Sequence, residues 1–121
     1  MPDLPLLDAS VLDGLVALSP DDNGAFVREL IDIFLQDAPP RLAEIDAALA
    51  RGDGRTASRA AHAIKGSCGN FGAVRLHATS LAMERAAASG DLAAARALLP
   101  GLHADHEATQ RELQDFRARL K

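Results

Sequence analysis

"LAAARALLPGLHADHEATQRELQDFRARL", Leu92 to Leu120, is the stretch from which the fold can be read. Leu92, Ala95, Leu99, Leu102, His106, Thr109, Leu113, Phe116 and Leu120 recur there at alternating spacings of three and four. That period places all nine on one side of a helix and makes the seam of a bundle. Pro100-Gly101 is where a bend is expected. A helix this long cannot bury such a stripe alone, so other helices must supply the facing surfaces.

Working back along the chain, "SGD" at 89–91 turns the backbone, and a helix over Ala73 to Ser89 precedes it, with Leu76, Ser80, Met83 and Ala87 facing inward. Another is expected from Asp53 to Asn70, after the stop signal "RGDG" at 51–54. A longer one carries Val27, Ile31, Phe34, Leu35, Ala38, Leu42, Ile45 and Leu49 on its core side. Pro39 and Pro40 fall in its middle and predict a kink or a short break. Ahead of it, "SPDDNG" offers Asp21 and Asp22 as caps. A first short helix runs from Ala9 to Leu18, capped by Asp8 or Ser10, with Leu7, Val11, Leu15 and Leu18 on one side. Short connections make sequential helices antiparallel. The expected fold is all-α: an up-and-down antiparallel four-helix bundle with a short additional N-terminal helix, in a single domain over 1–121.

Composition agrees. The 121 residues are 48% hydrophobic and 25% charged, which suits a packed core and sets disorder aside. Four Phe, with no Trp or Tyr, favour helices over sheets. A net charge of −4 argues against a broad nucleic-acid surface. Cys68 stands alone, so no disulfide framework exists within the chain, and a reducing compartment fits. "MPDLPLLDAS" has acids and prolines where a secretory signal needs a basic segment and an apolar run. No run of about 18 apolar residues could span a membrane. A cytoplasmic protein is expected, and Met1 and the compact ends point to a free-standing one.

"AAHAIKGSCGNFGA", Ala60 to Ala73, poses a problem within this Ala-rich pattern. Each interior Gly costs a helix about 1 kcal/mol relative to Ala, yet Gly66, Gly69 and Gly72 follow His62 closely. At 100° per residue, Ala57, Ala60, Ala61, Ile64, Cys68 and Phe71 point to the core, and His62 lies roughly 150° from the middle of that stripe. Arg55, Arg59, Gly66 and Gly69 go outward with it, and Lys65 flanks it. Bare glycines on an exposed face let another molecule approach the backbone. Nearby cations favour the neutral, nucleophilic imidazole and would compensate a phosphoryl group once attached. The residues alone therefore suggest a phosphohistidine on a flat docking face.

"HAIKGSCGNFGA", His62 to Ala73, closely resembles the signature of histidine-containing phosphotransfer domains, roughly H-x-L-K-G-S-S-x-x-x-G-A. The similarity extends from the Phe26 to Phe34 region through "LARGD" and "AASGD" to the last helix. The resemblance implies a phosphocarrier that accepts a phosphoryl group on His62 from a receiver-domain aspartate and passes it to another in a two-component phosphorelay. It implies Lys65 as phosphate support and Gly66 as the opening for the receiver. Gly69, Arg59 and Ser67 are further candidates for receiver docking and site environment. The implied partners are response-regulator receiver domains and a hybrid sensor histidine kinase. The charge and the lack of a long apolar run point to neither nucleic acid nor membrane, and a monomer is expected because the other helices need the Leu92–Leu120 stripe to close the bundle. The bundle would have no cofactor of its own, the magnesium being on the receiver, and no kinase active site. Ile64 stands where Leu is usual and Cys68 where Ser is common; both point inward.

Other readings compete. Arg59 also fits a plain solvated charge, and Ser67 a hydroxyl bonded within its own helix. Cys68 is expected as a buried, inert thiol. His103 and His106 have a spacing that permits a shared metal, but packing histidines are favoured there. His77 has no evident partner. A non-catalytic module of the same fold that binds receivers or other signalling proteins is the alternative function.

Overall fold

The computed structural model describes residues 4–120. Among these residues five α-helices follow one another: α1 (Ala9–Leu18), α2 (Ala25–Ala50), α3 (Gly54–Cys68), α4 (Val74–Ala88) and α5 (Leu92–Arg119). A single 3-10 turn, Gly69–Phe71, follows α3.

The starts are set by side-chain caps that satisfy otherwise orphaned N–H groups. Asp8 accepts from Ser10, Asp53 from Thr56 and Asp91 from Ala94. Asp22 accepts from the backbone N–H of Gly24 and Phe26, although Gly24 occupies the cap position of α2. Arg96 of α5 donates to the carbonyl of Leu49 at 2.7 and 3.2 Å, closing the C-terminal end of α2.

Each of α2 and α4 packs against both α3 and α5, which closes the four-membered bundle. Links between α2 and α5 join late residues of one to early residues of the other: Leu49 with Arg96, Asp46 with His103, Asp32 with Arg117. The two helices are thus antiparallel. The core holds Val27, Ile31, Phe34, Leu42, Ile45 and Leu49 from α2, with Leu76 and Met83 from α4 and Leu102 and Leu113 from α5. Phe34 and Phe71 meet edge to face at 5.5 Å between centroids.

Three expectations need correction: the break in α2, the inward side of α1 and the end of α3. α2 runs without a break through Pro39 and Pro40. Both prolines are exposed, and the core stripe continues across them with Ala38 and Leu42. Each proline costs a helix about 3 kcal/mol relative to Ala. A break would unseat Leu42, Ile45 and Leu49, each worth about 1.5 to 3 kcal/mol when buried, and Ala48 with them. Burial wins. α5 is also one helix across Pro100-Gly101, where a bend and no break is expected. The second correction concerns α1, where Leu18 is 70% exposed and Leu12 is the buried residue. α1 touches α2 and the Gly69–Phe71 turn, and its first turn lies over Gly72, so its far end has nothing to cover it.

The α-helical part of α3 ends at Cys68, before the expected Asn70. Gly72 adopts a left-handed φ of 64°, and the N–H of Ala73 bonds back to the carbonyl of Cys68 at 3.1 Å. A Cβ at Gly72 would come within 2.9 Å of Val11 and 3.0 Å of Asp8, so this glycine is required both by its dihedral and by the packing of α1.

Candidate functional site

α3 buries Ala57, Ala60, Ala61, Ile64 and Cys68. These are mostly small side chains, so α4 can approach closely. Ser58 donates to the carbonyl of Glu84 at 3.2 Å and fixes the level at which α4 crosses. The exposed side of α3 then carries His62, with its side chain 66% accessible, while Arg55, Arg59, Gly66 and Gly69 are exposed along the same helix face.

Glu84 of α4 reaches across to this face. Its Oε2 lies 2.8 Å from Nδ1 of His62, and its Oε1 lies 2.7 Å from Nζ of Lys65. Lys65 and Glu84 are each only 22% exposed, so the pair is partly shielded from water. Hydrogen bonds from Lys65 and then from His62 hold the Glu84 carboxyl below its ordinary pKa, against the opposing effect of partial burial. An ionised carboxylate can only accept, so Nδ1 of His62 carries the hydrogen. In a neutral ring this leaves Nε2 as the nitrogen with the free lone pair, on a side chain that is largely exposed.

The charge around His62 therefore differs from the expected setting of cations alone. Its nearest charged partner is an anion, and Lys65 is already paired with that anion. Sequence reading missed Glu84, which lies 22 positions from His62. A usable signal existed: in an antiparallel hairpin turning near Gly72, residues about equally far from the turn face each other.

The remaining candidates are placed as follows. A Cβ built at Gly66 or at Gly69 would meet nothing within 4 Å, so the fold itself does not require a bare backbone at either place. Ser67 donates to the carbonyl of Ala63 at 3.2 Å, within its own helix. Arg59 makes no ion pair among the described residues. Cys68 is fully buried, and burial pushes its thiol up to about 12, which leaves it inert. His103 bonds Asp46 at 2.8 Å, whereas His106 is buried against Phe34, so the two imidazoles do not converge on a metal. Among the described residues no group of three or more His, Cys, Asp or Glu side chains is placed to hold one. Among them, too, no helix is long and apolar enough to cross a membrane.

Comparison with known proteins agrees with this geometry. The model of the Hpt domain family matches residues 29–118. The crystal structure of histidine-containing phosphotransfer protein B (HptB) from Pseudomonas aeruginosa PAO1 superposes with a TM-score of 0.87 at 30% identity, covering 98% of this chain and 100% of that one. The maize histidine-containing phosphotransfer protein ZmHP2 shares the fold, with a TM-score of 0.81 at 21% identity over 91% of this chain and 81% of that one. No curated protein matches the chain by sequence. With the family matched over most of its length, an accessible histidine on α3 and the bundle of its relatives, the chain belongs to the Hpt domain family, the histidine phosphotransfer domains of two-component phosphorelays.

Proposed function

We propose that His62 is the phosphoacceptor and that the chain, acting as one unit over 1–121, relays a phosphoryl group between receiver-domain aspartates. The observation that carries this reading is the Glu84 contact, which leaves Nε2 of an exposed imidazole as the free nucleophile. Nε2 attacks the phosphorus of a receiver's aspartyl phosphate. The N–P bond forms as the acyl P–O bond breaks, and its electron pair returns to the receiver carboxylate. The ring gains positive charge during the step, and Glu84, bonded to Nδ1–H, offsets it. Attack by a second receiver's aspartate reverses these events, with the lone pair returning to Nε2. Both donors are energetic, so the transfer runs in either direction.

Lys65 supports the phosphoryl oxygens by exchanging its Glu84 contact for them in part. Gly66 and Gly69 admit the receiver's loops close to the α3 backbone, with Arg59 and Ser67 at the border of the docking face. Magnesium, which phosphoryl transfer commonly requires, comes with the receiver. The bundle is a carrier and has no kinase centre. Its partners are receiver domains and a hybrid sensor histidine kinase, and it works as a cytoplasmic monomer.

The test is transfer from a panel of pre-phosphorylated receivers to wild type and to His62→Gln. Acid-labile, alkali-stable label on wild type alone is expected. A receiver that binds but never labels the protein would move the assignment to a non-catalytic binding module.

A further inference from the structure

α3 is electrostatically unlike the rest of the molecule. It carries Arg55, Arg59 and Lys65 and no acidic residue, in a chain whose net charge is −4. Its neighbour α2 is rich in acids, with Glu29, Asp32, Asp37, Glu44 and Asp46 against Arg28 and Arg41. Lys65 is neutralised within the fold by Glu84. Arg55 and Arg59 are not: both are exposed, and among the described residues neither makes an ion pair or a side-chain hydrogen bond. Arg55 also sits in the first turn of α3, where the helix dipole disfavours a cation. The fold has no use for these two charges at these places.

Their spacing gives them a direction. Arg55, Arg59, His62, Gly66 and Gly69 follow one another at steps of four, three, four and three, so they form one straight stripe along the exposed side of the helix. At 1.5 Å per residue, Arg59 stands about 5 Å and Arg55 about 10 Å from His62 along the axis, on the side away from the glycines. A partner laid over His62 must cover one end or both. At the glycine end it meets bare backbone; at the other it meets two unneutralised guanidinium groups.

We infer that the Arg55–Arg59 end of this stripe is a docking contact for an acidic surface on the receiver, adjoining its phosphorylated aspartate. The inference rests on the phosphotransfer reading, because that reading brings a dianionic phosphoryl group and its carboxylate to His62. Arg59, one helical turn from His62, faces the near part of that rim. Arg55, farther out, faces the outer part of the rim and acts on it through solvent during encounter, most strongly at low salt where screening is weak. Unpaired surface cations facing an anionic partner speed encounter more than they tighten the final complex, and they do so in a salt-dependent way.

The experiment measures loading of the full chain by the phosphorylated receiver that labels wild type fastest, at low and physiological ionic strength, with phosphoramidate as a small donor that needs no docking. For the R55E/R59E double variant the second-order loading constant is expected to fall about tenfold or more at low salt, and its salt dependence to flatten. The maximal rate at saturating receiver and the labelling by phosphoramidate should fall far less. R55K/R59K should restore most of the loss. Wild-type loading and wild-type salt dependence in R55E/R59E would overturn the proposal. So would an equal loss with phosphoramidate, which would place the arginines at the phosphoryl group. A wild type that neither donor labels on His62 would defeat the phosphotransfer reading, and this proposal with it.

Discussion

The imidazole of His62 is held by a carboxylate from a different helix, and that contact decides which ring nitrogen is free. Removing it in Glu84→Ala releases both Nδ1 and Lys65, and receiver-dependent phosphorylation should slow by about tenfold, the worth of one such hydrogen bond in the transition state. Glu84→Gln can still accept from Nδ1–H through its amide oxygen, so it should retain more activity than Glu84→Ala; rates measured under single turnover separate the two. The glycines make the opposite kind of prediction. Gly66→Ala meets open space and gains helix propensity, so it should raise stability by about 0.5 to 1 kcal/mol in denaturant titration while slowing loading by a receiver. A variant that is both more stable and unimpaired would mean that no partner approaches this backbone. The exposure of His62 follows from the phase of α3 in the sequence, since Ala57, Ala60, Ala61, Ile64 and Cys68 mark the core side and all are buried. Glu84 could not be found that way. Its position depends on the register between two helices, and register is set by contacts such as Ser58 to the Glu84 carbonyl that no single-helix period contains.

At the scale of the elements, the α3–α4 hairpin places the two halves of the site, and the turn at Gly72 sets its geometry. Gly72→Ala combines a left-handed φ with contacts of 2.9 to 3.0 Å to Val11 and Asp8, and should destabilise the protein by about 1 to 3 kcal/mol and loosen α1. The contrast with Gly66→Ala separates a glycine the fold requires from one it does not. The start of α3 is fixed by Asp53, whose carboxyl is lowered to about 2 by the hydroxyl and then the N–H of Thr56. A depressed carboxyl stabilises the folded state above its unfolded pKa, so this contribution is complete above about pH 4 and is lost as the pH falls toward 2. Helix existence and inward faces could be read from periodicity because the seams are long and regular. The continuity of α2 could not: a Pro-Pro pair read locally signals a stop, and only the burial of Leu42, Ile45 and Leu49 beyond it shows which force prevails. Leu18 failed in the reverse sense, since a short amphipathic helix at the bundle's end is covered on part of its length only.

Across the whole molecule, the antiparallel bundle holds α3 with one side sealed and the other free. Most charged links lie at the surface, where Arg117 of α5 grips both oxygens of Asp32 on α2 at 2.7 and 2.8 Å. His106, in contrast, makes no such link: it is buried in the core beside Phe34 with its Nε2 unpartnered. Burial first, and the neighbouring His103 second, lower its pKa below the ordinary imidazole value. Protonation then favours the unfolded chain, so stability should decline as the pH falls below about 6.5, the unfolded value, and level off once it passes below the folded one. His106→Leu should remove that part of the pH dependence in thermal melts, and an unchanged pH profile would show that the ring is not held neutral. The central claim, however, is the transfer chemistry at one atom. Its most direct test is phosphorus NMR, with nitrogen-15 in the histidines, on protein loaded by a phosphorylated receiver. A phosphoramidate bonded to Nε2 of His62, with Nδ1 still protonated against Glu84, is the predicted result. Phosphorus on Nδ1, or on any residue other than His62, would contradict it.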